Sequence, residues 1–310
     1  MKVSAIEIGT NSTKYAILDV NSSKEFKIIE KQSTVNRLSK SMYDDNYLSK
    51  EAMSQGANLI SDYIKRIKHF DAKLISIFST SVLRDAANGK EFIDIIKEAH
   101  GIDIDVISGD REAFLAYFAN MSFINNDKSD TLAVDVGGGS TELILADKNA
   151  VKQQLSLNIG SVRLTERFIK TDFSAKDDYK NIFKYVNSIL LECKLDCKSG
   201  FDLIGTGGSI KTIGRILMEV DYKDEQLING LKIEKREIES ILNRLGKLSL
   251  QERKNIQGLD PKRADVIVSG IIITLCVMDH WNVNKLIIST NGVLEGFILN
   301  YIHNEINEGD

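Results

Sequence analysis

The sequence predicts an α/β protein built from two similar halves, and three observations support that class. A β-branched strand that ends in an acid, a glycine turn and a second strand occurs around Gly9 and again around Gly137, 128 positions later. Predicted strands and helices alternate along the chain, as they do in α/β proteins. The 310 residues are enough for two domains, each with its own core.

Each element of the first half follows from a local pattern. Alternating and β-branched residues predict strands, and apolar residues at helical spacing predict helices. A hydroxyl-rich helix start at Ser79-Thr80-Ser81 leads to Asn88-Gly89, a pair that predicts the end of this helix. The other predicted elements are three strands over 2–36, a helix over 49–68, a strand over 74–78, a further helix, a strand near 104–107 and a helix over 110–121.

The second half repeats this order after the polar stretch Asn125–Asp130, which predicts a linker. Pro261 fits the first turn of a long helix, where its missing N–H costs nothing. The predicted elements are strands over 131–136, 141–147 and 151–158, helices over 161–169 and 175–195, a strand from 202 into a glycine turn and helix, helices over 233–246 and 262–281, a strand over 285–288 and a last helix from 292.

Composition and cysteine usage exclude several classes of protein. A net charge of −4 gives no general attraction for nucleic acids or acidic membranes, so we predict neither as a partner. The apolar run Val266–Met278 is too short to span a bilayer and predicts a buried helix. Cys193 and Cys197, four residues apart on a predicted helix, and Cys276 predict reduced thiols. A strand directly at the N-terminus predicts no signal peptide, and we expect a cytoplasmic location.

The repeated turn suits a phosphate group. A phosphate needs several N–H and O–H donors that converge on it, and glycine lets the backbone turn those donors inward. A third glycine turn follows the strand that starts at 202. An ordinary hairpin would explain one copy, but two copies in matching register argue against it. The predicted phosphate-binding residues are Thr10, Asn11, Ser12, Gly137, Gly138, Gly139, Ser140, Thr141, Gly207, Gly208 and Ser209.

An acid stands two residues before the first glycine of each of the first two turns. Glu7 precedes the first turn and Asp135 precedes the second. A carboxylate at this place would repel phosphate unless a cation lay between them. Mg²⁺ is a hard ion suited to oxygen ligands, and we therefore expect it as a cofactor.

The two halves, each of the form β-β-β-α-β-α and headed by such a hairpin, resemble the actin, Hsp70 and sugar-kinase superfamily. The resemblance implies a duplicated actin-like (ribonuclease H-like) ATPase fold, with two domains that face each other across a cleft and grip a phosphate chain. We predict domains over 1–124 and 125–295, with a C-terminal helix over 296–310 that packs on the first domain. Hinges are expected at Asn125–Asp130 and Asn291–Gly296.

Four further segments resemble the exopolyphosphatase and guanosine pentaphosphate phosphatase family. They are Ser79–Gly89, Ile107–Ala113, Val134–Glu142 and Ile204–Ser209. The segments keep the family's order, and the resemblance extends from residue 1 to about 300, as in the short, two-domain members. It implies hydrolysis of a phosphoanhydride.

The resemblance also implies roles for single residues. Glu112 corresponds to the glutamate thought to act as base on the attacking water, and Arg84 to a positive charge beside the scissile phosphate. Asp135 and Glu142 correspond to acids around the metal and that water. We therefore expect Glu112, Glu142 and Arg84 to be catalytic, and Asp135, Glu142 and Glu7 to bind Mg²⁺.

Three positions depart from the family pattern. Glu7 stands where aspartate is usual, Arg111 replaces the first of two acids, and Leu294 replaces an arginine. These changes leave the expected catalytic acids in place, so they bear on substrate preference and rate.

The first functional hypothesis is release of terminal phosphate from inorganic polyphosphate, with short chains as the expected substrate. Guanosine pentaphosphate is the close alternative, because it ends in the same phosphoanhydride. A kinase of the same superfamily and a non-catalytic sensor of polyphosphate or guanosine tetraphosphate remain open, and so does a homodimer as the assembly.

Overall fold

The computed structural model divides into two compact units. Unit 1 comprises Met1–Ala119 and Val293–Asp310, and unit 2 comprises Asn120–Gly292. The predicted hinge Asn125–Asp130 lies outside the described residues except for Asp130. The structure describes residues 1–21, 26–40, 42, 46–120, 130–147, 150–170, 176–197, 200–221 and 224–307.

Unit 1 contains a five-stranded sheet in the order β3-β2-β1-β4-β5. The first three strands are antiparallel neighbours, and β4 and β5 run parallel to β1. The strands are β1 (Lys2–Ile8), β2 (Ser12–Val20), β3 (Phe26–Val35), β4 (Lys73–Ser79) and β5 (Ile104–Val106), and the helices are α1 (Lys50–His69), α2 (Ser81–Asp85), α3 (Gly89–His100) and α4 (Gly109–Asn120).

Both faces of strand β1 are buried from Val3 to Ile8, and its apolar residues alternate with the buried polar side chains of Ser4 and Glu7. Apolar residues of α1 and α3 cover one face of the sheet. The C-terminal helix α11 (Val293–Asn307) packs on β1 and β2, and its Phe297 ring stacks on Phe78 with centroids 4.4 Å apart. Gly296 is required there, because a Cβ atom would lie 1.9 Å from the carbonyl oxygen of Leu115.

Unit 2 contains a six-stranded sheet in the order β10-β11-β9-β6-β7-β8. Its core strand β6 is antiparallel to β7 and parallel to β9. The strands are β6 (Thr131–Val136), β7 (Thr141–Ala146), β8 (Val151–Leu157), β9 (Asp202–Thr206), β10 (Lys232–Glu234) and β11 (Lys285–Ile288), and the helices are α5 (Ser161–Phe168), α6 (Lys176–Leu191), α7 (Gly208–Met218), α8 (Lys235–Leu245), α9 (Leu250–Arg253) and α10 (Ile267–His280).

Helix α10 forms the centre of the unit 2 core. Every residue from Ile267 to Met278 is buried, as the apolar run in the sequence predicts. No helix in the described part of the chain is long and apolar enough to cross a membrane.

The Asn88-Gly89 pair does not end a helix, and that prediction is wrong. Helix α2 already ends at Asp85, and Gly89 begins α3. The side chain of Asn88 accepts from the backbone N–H of Leu48 (2.8 Å) and donates to its carbonyl (3.0 Å). The residue therefore joins two distant segments, a role that local sequence does not reveal.

Other differences lie at the ends of elements. The predicted helix over 262–281 is a short 3₁₀ turn, Pro261–Arg263, followed by α10, because the Asp260 side chain caps the turn separately at Lys262 N (2.9 Å). Helix α6 ends at Leu191, so Cys193 and Cys197 lie beyond it. All three cysteines are free thiols. Burial raises the pKa of Cys197 to about 11 and that of Cys276 to about 12.

Candidate active site

The two hairpins that the sequence singles out have the same turn geometry. Gly9 N donates to Ser12 O at 3.1 Å, and Gly137 N donates to Ser140 O at 3.0 Å. A Cβ atom on either glycine would lie 2.9 Å from that same carbonyl oxygen. Only glycine fits the first position of each turn, so the repeat in the sequence is a repeat in structure.

The turn of unit 2 presents backbone donors that the protein does not use. Within the described residues, the N–H groups of Gly138, Gly139 and Ser140 make no hydrogen bond. Buried or half-buried N–H groups are almost always paired in proteins. Three successive unpaired donors therefore indicate a place for an anion.

Two buried acids flank this turn. Asp135 and Glu142 are directly opposite each other on β6 and β7, which places their side chains on the same face of the sheet. Glu142 is 1% exposed and Asp135 is 9% exposed. Ser156 on β8 is in register with Glu142 and donates to its Oε1 at 2.8 Å. The sequence analysis did not identify Ser156, because only strand pairing reveals it.

The third glycine turn lies at the same edge of the unit 2 sheet. Thr206, at the end of β9, is the register partner of Asp135. Gly207 has φ of 93°, and a Cβ atom there would lie 2.6 Å from Asp135 Oδ1. The structure thus brings Gly207 next to Val136 and Asp135, the two residues that precede the second turn.

A guanidinium group packs against this third turn. A Cβ atom on Gly208 would lie 2.1 Å from Arg263 Nη1, so the glycine admits the arginine. Burial lowers the pKa of Arg263, and the charge of Arg215 lowers it further. Local sequence does not reveal Arg263, since the residue lies 55 positions after the turn. Its cation could bind an anion at the start of α7.

Unit 1 holds a different set of residues around its turn. Glu7 is opposite Lys14 in the β1–β2 register, and Lys14 Nζ lies 2.6 Å from Glu7 Oε1. The other carboxylate oxygen of Glu7 and both amide atoms of Asn11 are buried without a hydrogen-bond partner among the described residues. Such atoms are rare and mark a place where a polar ligand would be stabilised.

Arg84 and Glu112 meet in unit 1. Arg84 Nη1 lies 2.9 Å from Glu112 Oε2 and also donates to the carbonyl of Ile107 at 2.8 Å. Glu112 stands in the first turn of α4, where an acid is favoured by the helix dipole, and it is 6% exposed. The hydroxyls of Thr10 and Ser81 are 3.0 Å apart and join the first turn to α2, the helix that carries Arg84.

Two of the departures from the family pattern involve α11, since Arg111 contacts this helix and Leu294 lies in it. Arg111 donates to Asn300 Oδ1 at 2.7 Å and lies over the ring of Phe114. Leu294 is buried at 1% exposure, and the next residue, Glu295, pairs with Lys31 at 2.7 Å. These contacts are apolar packing or satisfied pairs within unit 1.

The acids of unit 2 fit a hard cation. Among the described residues there is no cluster of three or more His, Cys, Asp or Glu side chains that could hold a metal by itself. However, two neighbouring buried carboxylates repel each other unless a cation or a proton lies between them. Asp135 and Glu142 offer carboxylate oxygens of the kind that would hold Mg²⁺. Glu7 fits less well, because Lys14 already neutralises it.

Comparison with known proteins identifies the family. A sequence model described as the Ppx/GppA phosphatase family matches residues 16–305. The chain belongs to the Ppx/GppA phosphatase family. This membership confirms the predicted family and the predicted class of enzyme, a hydrolase of the exopolyphosphatase type.

One curated relative of this family member is the bifunctional 3-dehydroquinate synthase/phosphatase of Fusobacterium nucleatum subsp. nucleatum. It is 33% identical over 311 residues, which are 97% of this chain and 46% of that protein. The chain thus spans about half the length of this relative.

Solved structures of Ppx/GppA proteins confirm the fold class. The Aquifex aeolicus family member is 26% identical, with a TM-score of 0.82 and 98% of both chains covered. An exopolyphosphatase from Cytophaga hutchinsonii, 24% identical, has a TM-score of 0.89 with 98% of both chains covered, a likeness that concerns the fold. The duplicated, actin-like α/β fold that the sequence predicts is therefore present.

Proposed function

We propose that the protein hydrolyses the terminal phosphoanhydride of inorganic polyphosphate, by direct attack of water and with Mg²⁺ as cofactor. The observation that carries the proposal is the second glycine turn. It combines three unpaired N–H donors with two buried carboxylates on the adjoining strands. Donors for a phosphate and ligands for its counter-ion thus occur side by side.

Glu112 is the proposed base. Proton transfer from the attacking water requires an ionised carboxylate within reach. Arg84 Nη1 lies 2.9 Å from Glu112 Oε2 and orients the carboxylate. Arg84 is anchored by the carbonyl of Ile107, so the pair is fixed in position before a substrate arrives.

The remaining groups bind and orient the phosphate. The turn amides of Gly138, Gly139 and Ser140 donate to non-bridging oxygens, and Arg263 adds a cation at the third turn. Mg²⁺ held by Asp135 and Glu142 would neutralise charge on the transferred phosphoryl group. Glu112 and Arg84 belong to unit 1, and the two acids and the second and third glycine turns belong to unit 2.

A phosphate-release assay tests this function. Purified protein is given tripolyphosphate, long-chain polyphosphate or guanosine pentaphosphate, each with and without Mg²⁺. We expect release from polyphosphate only with Mg²⁺. Release from guanosine pentaphosphate alone would make this nucleotide the substrate in place of polyphosphate. No release from any of the three compounds would overturn the proposal. Consumption of ATP that needs an acceptor would instead indicate a kinase.

The base is tested by Glu112→Gln. This change keeps the shape of the side chain but removes proton acceptance, so kcat should fall by on the order of 10²-fold or more while phosphate still binds. Asp110→Asn is the matched control, because Asp110 is an exposed acid in the same helical turn. Unchanged turnover in a folded Glu112→Gln protein would remove this residue from the mechanism.

A further inference from the structure

The carbonyl groups of Gly137, Gly138 and Gly139 in the second glycine turn all accept hydrogen bonds from the start of helix α5. This contact uses both backbone and side-chain donors. The bonds are Ser161 N to Gly137 O (2.9 Å), Val162 N to Gly138 O (2.9 Å), Arg163 N to Gly138 O (3.1 Å), Ser161 Oγ to Gly137 O (3.2 Å) and Arg163 Nε to Gly139 O (2.7 Å).

These bonds decide where the N–H groups of the turn point. A peptide is planar and trans, so its N–H points away from its own C=O. With the carbonyls of Gly137, Gly138 and Gly139 directed at α5, the next N–H groups along the chain are directed away from it. Those N–H groups are the three unpaired donors of Gly138, Gly139 and Ser140.

The close approach of α5 is built into the sequence. A Cβ atom on Gly160 would lie 2.3 Å from Gly138 O and 2.5 Å from the carbonyl carbon of Gly139. A glycine at 160 is thus needed for the helix to reach the turn. The last bond, to Gly139 O, is made by the side chain of Arg163 alone, since no backbone N–H reaches this carbonyl in the described residues.

The first turn is supported in a different way. Its carbonyls at Thr10 and Asn11 accept from Ser39 N (3.4 Å), Ser39 Oγ (3.1 Å) and Arg37 N (3.1 Å). These donors are backbone groups and one hydroxyl. In the described residues, a charged side chain bonds a carbonyl of the second turn, which adjoins the two carboxylates, and none bonds a carbonyl of the first.

We infer that Arg163 is a positioning residue for phosphate binding. Its Nε–H holds the Gly139–Ser140 peptide so that Ser140 N–H faces the phosphate, and its charge strengthens that hydrogen bond. Without it, the peptide can rotate and the donor is no longer preorganised, so binding must first order the turn. The inference rests on the proposed function of this turn as a phosphate site.

Three variants separate this role from a general effect of charge. Arg163→Met removes the donor and keeps the apolar stem, whereas Arg163→Lys keeps the charge but places a methylene where Nε was. Arg167→Met is the matched control. Arg167 is exposed and lies one turn further along α5, where its guanidinium is 4.2 Å from the centroid of the Tyr185 ring. Its replacement by Met removes the same positive charge as Arg163→Met.

Binding of inorganic phosphate is measured by calorimetry, and kcat and KM by release from tripolyphosphate. We expect Arg163→Met and Arg163→Lys each to weaken phosphate binding about 10-fold and to raise KM by a similar factor. The value of kcat should change much less, because the turn binds phosphate equally in the ground and transition states. Arg167→Met should match the wild type.

Rescue by Arg163→Lys, or equal weakening by Arg167→Met, would overturn the inference in favour of charge alone. Hydrogen exchange of Gly137 N–H, which closes the turn onto Ser140 O, provides a readout without ligand. It should quicken in both Arg163 variants and not in Arg167→Met. Should Arg163→Met fail to fold, Arg163→Lys carries the test.

The two proposals fail in different ways. If the wild type releases no phosphate from any substrate but binds inorganic phosphate, and Arg163→Lys weakens that binding, the proposed function fails and the positioning role stands. If the wild type is active and Arg163→Lys binds phosphate with the same affinity as the wild type, the positioning role fails and the function stands. A wild type that neither releases nor binds phosphate overturns both.

Discussion

The two glycine hairpins share a backbone and differ in the residue opposite the acid. In unit 1, Glu7 faces Lys14, and the pair is neutral. In unit 2, Asp135 faces Glu142, and the pair carries two negative charges when ionised. The third strand places a serine in register with the second residue of each pair, Ser33 beside Lys14 and Ser156 beside Glu142.

This difference bears on where we expect a metal ion. The first hairpin pairs its acid with Lys14, while the second places two carboxylates opposite each other, which are the oxygen ligands that Mg²⁺ prefers. A search for acids before glycine turns treats both hairpins alike and makes Glu7 and Asp135 equal candidates. The residue opposite each acid distinguishes the two hairpins, and we therefore expect Mg²⁺ at the hairpin of unit 2.

The largest expected effect comes from blocking the donor surface of the second turn. Gly138→Val adds a β-branched side chain beside the three unpaired N–H groups, so affinity for inorganic phosphate should fall by on the order of 10²-fold or more. Calorimetry measures this loss, and thermal unfolding serves as the control, since stability should change less. Normal phosphate binding by Gly138→Val would show that the hairpin is only structural.

The charge difference between the hairpins can be reversed. Glu142→Lys gives the second hairpin the acid–lysine pair of the first and should abolish stabilisation by Mg²⁺, measured as the rise in Tm on adding the ion. The wild type should gain stability from Mg²⁺.

The reciprocal change tests the first hairpin. Lys14→Met leaves the buried Glu7 without its cation, and we expect the free energy of unfolding to fall by about 2 kcal/mol, measured by urea denaturation. Stabilisation by Mg²⁺ should persist in this variant. A wild type that Mg²⁺ does not stabilise, or a loss of the Mg²⁺ effect in Lys14→Met but not in Glu142→Lys, would contradict the assignment to unit 2.

The smallest expected effect concerns the serine beside each pair. Ser156→Ala removes a hydrogen bond to a buried carboxylate, and such bonds contribute about 1.5–3 kcal/mol, so kcat should fall about 10-fold. Ser156→Thr keeps the hydroxyl and should retain most of the activity. Ser33→Ala is the matched control at the equivalent position of the exposed strand β3. Equal losses in both alanine variants would remove the special role of Ser156.

Local sequence predicts the parts of the site that depend on neighbours in the chain. The glycine turns, the acids before them and the two helix starts that carry Arg84 and Glu112 all follow from short segments. The partners Lys14 and Ser156 depend on strand register, and Arg263 on a contact across 55 positions. None of these can be read from spacing.

The errors in the fold have the same origin. Asn88-Gly89 has the composition of a helix stop, but the Asn88 side chain is bound to Leu48, and a long-range bond therefore overrides the local signal. The elements that the sequence analysis missed, such as β10 and α9, are too short to show a period. The long periodic helix α1 is close to its predicted range.

The return of the last helix to unit 1 has a consequence for synthesis. Domains fold as units as the chain emerges, N-terminal first. One face of the unit 1 sheet is covered by α11, whose Phe297 stacks on Phe78. In the sequence, all of unit 2 lies between the rest of unit 1 and this helix. We therefore expect unit 2 to complete its core on the ribosome before unit 1 does. A chain halted at residue 292 should hold a folded unit 2 beside a unit 1 whose β1 and β2 expose apolar residues to chaperones.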